Sequence, residues 1–187
     1  MLSIVQSPNK VLSQKAKPVT SIDKRIRDLL REMEETLLSA QDPEGVGLAA
    51  PQVGKAVQIF IVKQSPKSPL LTFINPKIES RMQAPHEVHG GKTKTKNKKG
   101  VQLEGCLSIQ DIWGVVKRAH GVILSYQDET GEQHKKTFDG FLATIIQHEC
   151  DHLEGILFPK RVFEQHNHLY RSRKNAEGET AFEEITL

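Results

Sequence analysis

His148-Glu149-Cys150-Asp151-His152 carries residue types at a spacing that suits metal chemistry. On a helix turning about 100° per residue, His152 lies about 40° around from His148 and one turn along. Two imidazoles in that relation reach one metal ion. Glu149, on the flank of the same face, is placed for water at the metal rather than for the metal itself. Cys150 falls on the far side with Ile146, Leu153 and Leu157, and reads as a buried structural thiol. Thr144, Gln147, Asp151 and Glu154 make a narrow polar stripe. Phe141 and Ile145 stand beside the histidines, where apolar groups line a pocket for an apolar substrate side chain.

A catalytic site of this kind uses three protein ligands and an open position for water. The extended pattern HExxHxxGxxH fails here: Gly155 is in place, but Phe158 stands where the last histidine belongs. A glutamate about 20 residues further on would be Glu177, which lies in a polar stretch with little apolar pattern to hold it. Cys106, in Glu104-Gly105-Cys106-Leu107-Ser108, is the other candidate, since a thiolate with two neutral imidazoles suits a borderline-soft divalent ion. His86, His89, His120, His134, His166 and His168 lack a matching partner spacing and read as solvent-facing or otherwise satisfied.

These residues need elements to hold them. Ile22, Ile26, Leu29, Leu30, Met33, Leu37 and Leu38 form the apolar stripe of an amphipathic helix over Ser21–Gln41, started near Asp23 and ended before Pro43. Gly45–Gly54 is too rich in Gly and Pro for a regular element and reads as a tight, close-packed loop. Val57–Val62, Leu71–Ile74, Gly114–Arg118, Val122–Tyr126 and His134–Phe138 read as strands, with Asn75-Pro76 punctuating the second. Phe141–Phe158 has the length of one helix. Clustered strands followed by a helix predict an α+β fold. Its antiparallel strands pack around a central C-terminal HExxH helix, with an N-terminal amphipathic helix beside them. One domain is expected over residues 1–187, with a lysine-rich insertion at 83–100 and a polar tail at 160–187.

Composition narrows the class. With 37% hydrophobic and 26% charged residues and a mean hydropathy of -0.45, the chain has enough recurring apolar residues to exclude wholesale disorder. No apolar run approaches the roughly 20 residues that span a bilayer. The opening residues show no continuous apolar signal segment. Two cysteines make no disulfide framework, so a reducing, intracellular compartment is expected. The net charge is +3, but five lysines lie in Gly91–Gly100, and removing them leaves -2 for the rest. No sequence-specific nucleic-acid surface follows from that distribution.

GVGLAAPQVG (Gly45–Gly54), EGCLS (Glu104–Ser108) and QHECDH (Gln147–His152), in that order, resemble the three motifs of the peptide deformylase family. The likeness runs from about Ser3 to Phe158 and includes Ile74-Asn75-Pro76. The resemblance implies that Cys106, His148 and His152 bind a catalytic divalent metal, with Glu149 as acid and base. It implies Gln52 and the backbone N–H of Leu107 as oxyanion donors, and substrate contacts around Val46, Gly47 and Gly105, with Phe141 and Ile145 lining the methionine pocket. The implied reaction is removal of the formyl group from N-formylmethionyl nascent peptides. The implied metal is usually Fe(II), with Zn(II), Ni(II) or Co(II) able to substitute, and the implied setting is the bacterial-type cytoplasm or an organelle. An HExxH protease and a non-catalytic metal module are the competing readings. Gln110-Asp111-Ile112-Trp113 departs from the family pattern, and Trp113 is expected at the outer rim of the peptide cleft. The lysine run reads as a solvated loop, with a ribosome-facing role near the exit tunnel as the alternative.

Overall fold

The computed structural model describes residues 1–40, 45–83, 101–174 and 179–186. Pro43, His86, His89, the Lys92–Lys99 run and Glu177 lie outside the described residues. In chain order the elements are α1 (Lys24–Ser39), β1 (Gly47–Ala49), β2 (Ile59–Val62), β3 (Leu71–Met82), β4 (Glu104–Cys106) and β5 (Ile109–Gly114). There follow β6 (Gly121–Gln127), β7 (Gln133–Asp139), α2 (Gly140–Leu153), α3 (Phe158–Glu164), β8 (Leu169–Lys174) and β9 (Thr180–Glu184). The strands form an antiparallel sheet ordered β1-β2-β3-β6-β7 and a second ordered β4-β5-β8-β9. The α+β expectation holds, with α2 as the helix the sheets enclose.

The continuous apolar run of β2 reflects burial on both faces. Ile59 and Ile61 pack with Leu29, Leu30, Met33 and Leu37 of α1. Phe60 and Val62 point the other way, into the cluster of Phe73, Val122 and Leu124 with Ala143, Ile146 and Leu153 of α2. Helix α1 is shorter than the apolar stripe suggested because the Asp23 side chain accepts the N–H groups of Arg25 and Ile26 and fixes the start.

Several expectations need correction. The Gly/Pro-rich segment is close-packed as expected, yet Gly47–Ala49 pairs with β2 and Ala50–Val53 forms one 3-10 turn. Strand β3 runs through Asn75-Pro76 instead of ending there. The register shifts between Ile74 and Lys77, so the proline sits at a bulge where no ladder N–H is needed. Asn75, at φ 50, binds both the N–H and the carbonyl of Val19. The strand assigned to Gly114–Arg118 lies earlier, at Ile109–Gly114. Beyond it, side chains replace the ladder: Gln165 binds both backbone groups of Lys117, and Asn167 donates to the carbonyl of Val115. The helix assigned to Phe141–Phe158 stops at Leu153, with Gly155 at φ 71, and a separate helix begins at Phe158. The supposed polar tail is structured, contributing α3, β8 and β9.

Candidate active site

Two elements bring the ligand candidates together. Helix α2 presents His148 and His152 one turn apart, their rings edge to face with centroids at 4.9 Å. Strand β4 delivers Cys106 from the other sheet, with Sγ 3.2 Å from Nε2 of His152. One ligand atom from each of the three lies within 4.8 Å of the others. A divalent ion fits this donor set, soft sulfur with two imidazoles. Two buried atoms, Glu149 Oε2 and His152 Nδ1, have no hydrogen-bond partner among the described residues.

Burial dominates the electrostatics. Glu149 is pushed up to about 7 by loss of hydration, only partly offset by the His148 and Arg118 charges. His152 is driven well below its usual value by burial and by His148. Burial presses His148 down too, but the Glu104 carboxylate and the Cys106 sulfur outweigh it and hold the ring well above the usual value.

The loop residues close the site from the other side. Gln52 is buried at the end of the 3-10 turn. Its Oε1 accepts the Ala49 N–H at 2.8 Å, which aims Nε2 at Cys106 Sγ (3.5 Å) and Ser108 Oγ (3.4 Å). Gly47 lies against α2 so closely that a Cβ there would collide with the Glu149 carboxylate, with Cδ at 2.9 Å, and with Ile145 Cγ2 at 2.9 Å. Val46, Phe141 and Ile145 join one apolar cluster beside the histidines. Leu107 opens the turn after Cys106, and its carbonyl accepts from Gln6 Nε2 at 3.1 Å. The N-terminal segment stitches both loops, through Val5 N–H to the Gln52 carbonyl and Ser7 N–H to that of Ser108. Cys150 is only partly buried, packed on the main core, and its thiol is raised by burial. Trp113, expected at the cleft rim, instead packs over Gly105 and against Phe182.

The residues that orient the candidate ligands escaped the reading of the sequence. Glu104 binds Nδ1 of His148 at 2.7 Å, which turns Nε2 toward the ligand cluster. Arg118 grips both oxygens of Glu104 (2.7 and 3.0 Å) and reaches Asp151 at 2.6 Å. Arg161 holds the other side of Asp151 at 2.7 Å. Burial would raise Glu104, but His148 and Arg118 bring it down to about 2. The signal was available: Asp151 sits on the helix's polar stripe and Glu104 beside the cysteine, acids with no solvent-facing purpose.

Residues 1–168 match the family described as polypeptide deformylase. A peptide deformylase of Synechocystis sp. is 39% identical over 157 residues, covering 82% of this chain and 75% of that one. Peptide deformylase 1 of Bacillus cereus is 37% identical over 164 residues, covering 87% and 92%. The crystal structure of a peptide deformylase from Synechococcus elongatus, in complex with actinonin, superposes with a TM-score of 0.72 at 38% identity, covering 86% of this chain and 80% of that one. The Thermotoga maritima peptide deformylase gives 0.71 at 31% identity, covering 87% and 97%.

Proposed function

The chain belongs to the polypeptide deformylase family, and from that premise we propose which residues carry the reaction. It is a metal-dependent amidohydrolase that removes the N-formyl group from nascent peptides. The observation that carries our assignment is the convergence of Cys106, His148 and His152 beside a buried Glu149. These three side chains would hold a single divalent ion, which when bound would polarise a carbonyl and activate water near neutral pH. Glu149 takes a proton from the attacking water and returns it to the amine as the C–N bond breaks, leaving formate and a free N-terminus. Its raised affinity for a proton suits both halves of that transfer. Gln52 Nε2 and the Leu107 N–H donate to the formyl oxygen as negative charge develops, each worth about 3–4 kcal/mol. Val46, Gly47 and Gly105 receive the peptide backbone, and Phe141 and Ile145 line the methionine pocket.

We further assign residues 1–187 to one catalytic domain, Fe(II) as the cellular ion, and the bacterial-type cytoplasm as the compartment. Among the described residues no helix is long and apolar enough to cross a membrane. The alternative reading of the lysines of Gly91–Gly100, contact with ribosomal RNA near the exit tunnel, would show as co-sedimentation with ribosomes that weakens steeply with salt. The test of the activity pairs metal analysis on anaerobically purified protein with formate release. A formyl-Met tripeptide should be turned over and its acetyl analogue should not, because the larger acyl group crowds the site. Equal rates on both would overturn the assignment, and casein cleavage in place of formate release would favour a protease.

A further inference from the structure

Cys106 stands on a three-residue strand whose two faces meet different cores. On its own face Cys106 packs with Phe158 and Val162 of α3 and with Ile109, Ile112 and Leu169. On the opposite face, one residue earlier, Gly105 has no side chain, and the indole of its cross-strand partner Trp113 fills the space. A Cβ at 105 would sit 2.7 Å from Cε3 and Cζ3 of that ring, so the indole lies flat on the strand. Trp113 in turn meets Phe182 edge to face at 5.5 Å, with Leu103 and Tyr170 completing a separate small cluster. Phe182 and Tyr170 come from the C-terminal hairpin, beyond the residues 1–168 that match the family. Strand β4 is hydrogen-bonded only to β5 among the described strands, and β5 is backed by β8 through Ile112↔Arg171, Trp113↔Tyr170 and Gly114↔Leu169.

We propose that the β8–β9 hairpin is a positioning element for the metal site, with Phe182 pressing Trp113 onto Gly105 and so fixing the depth at which Cys106 meets the two histidines of α2. The sulfur stands on strand β4 and the imidazoles on helix α2, and 3.2 Å between Cys106 and His152 tolerates little drift of β4. Packing of this tightness transmits small displacements, because a well-filled interior has few voids to absorb them. The inference rests on the assignment of Cys106, His148 and His152 as ligands.

Co(II) titration of the metal-free full chain separates the two ideas, since a thiolate-to-cobalt charge-transfer band reports the sulfur directly. In the unsubstituted chain the band should appear at one equivalent. Phe182→Ala should weaken Co(II) binding about tenfold, as loss of an orienting contact typically does, and reduce the band per bound ion. Phe182→Leu, which keeps most of the volume, should recover to within about threefold of the unsubstituted constant. Phe138→Ala removes the same side chain from the other sheet, where it meets Phe73 and Tyr126, and should lower thermal stability with an unchanged constant and band. An unchanged constant in Phe182→Ala, or an equal loss in Phe138→Ala, overturns the proposal alone. Absence of the band in the unsubstituted chain overturns the ligand assignment and the proposal with it.

Discussion

Replacing Arg118 with methionine keeps the side chain's length and removes the charge that neutralises two buried acids. Arg118 is 8% exposed, Glu104 11% and Asp151 9%, so water cannot take the cation's place. After the change Asp151 still has Arg161, but Glu104 has only His148. Leaving one partner of a buried ion pair uncompensated costs about 3–5 kcal/mol. At about 2–4 °C per kcal/mol for a chain of this size, Tm should fall by roughly 6–20 °C. A second effect is specific to the site. Glu104 fixes the His148 ring only while its own oxygens are held, so metal affinity should fall about 10–100-fold. Arg118→Lys should recover little of either, because a point charge cannot match the fork that spans two carboxylates. Arg161→Met is the internal contrast. Arg161 is 29% exposed and its loss leaves Asp151 paired with Arg118, so its Tm should drop by much less. Differential scanning calorimetry gives the first number and metal titration the second. An Arg118→Met protein as stable as the parent, with unchanged metal affinity, would refute the reasoning.

Glu149→Gln should retain the metal and lose turnover by at least about a thousandfold, because an amide neither accepts nor returns the proton; metal content and formate release on one sample check both halves. Gly47→Ala should cost about a hundredfold in kcat/KM, equivalent to about 2.7 kcal/mol, since its Cβ displaces the Glu149 carboxylate. Asp128, held well below its ordinary 3.8 chiefly by the Thr130 hydroxyl and then by His134, supports the β6–β7 turn above that pH. The support should be lost only as pH falls through the lower folded value, read as acid-induced movement of the Thr130 and Glu132 amide resonances.

The site was legible where chemistry fixes residue type and spacing together. Two histidines four apart with a glutamate between them have few other uses, and the helix that bears them is the one the structure builds. The strands around it were legible for a simpler reason. Ile59 to Val62 cannot be amphipathic when α1 covers one face and α2 the other, and an unbroken apolar run records that. Their ends were less legible, because termination depended on side chains far along the chain. Gln165 and Asn167 satisfy the backbone of Val115 and Lys117, and nothing near residue 115 announces it.

The hairpin at the C-terminal end failed for a different reason. Leu169-Tyr170-Arg171-Ser172-Arg173-Lys174 and Thr180-Ala181-Phe182-Glu183-Glu184 are too charged to suggest burial when read alone. Their outward charges pair across the two strands, as with Arg173 and Glu183. What seats the hairpin is a few apolar groups, Leu169, Tyr170 and Phe182, whose partners Leu103, Ile112 and Trp113 stand far back in the chain. An amphipathic period registers only when enough residues of one element share a face, and strands of five or six residues cannot show it against charged neighbours. The unusual Trp113 was the available clue. A large indole facing a glycine on its partner strand needs a second surface to cover its other side. Phe182, in the segment that read as tail, supplies that surface.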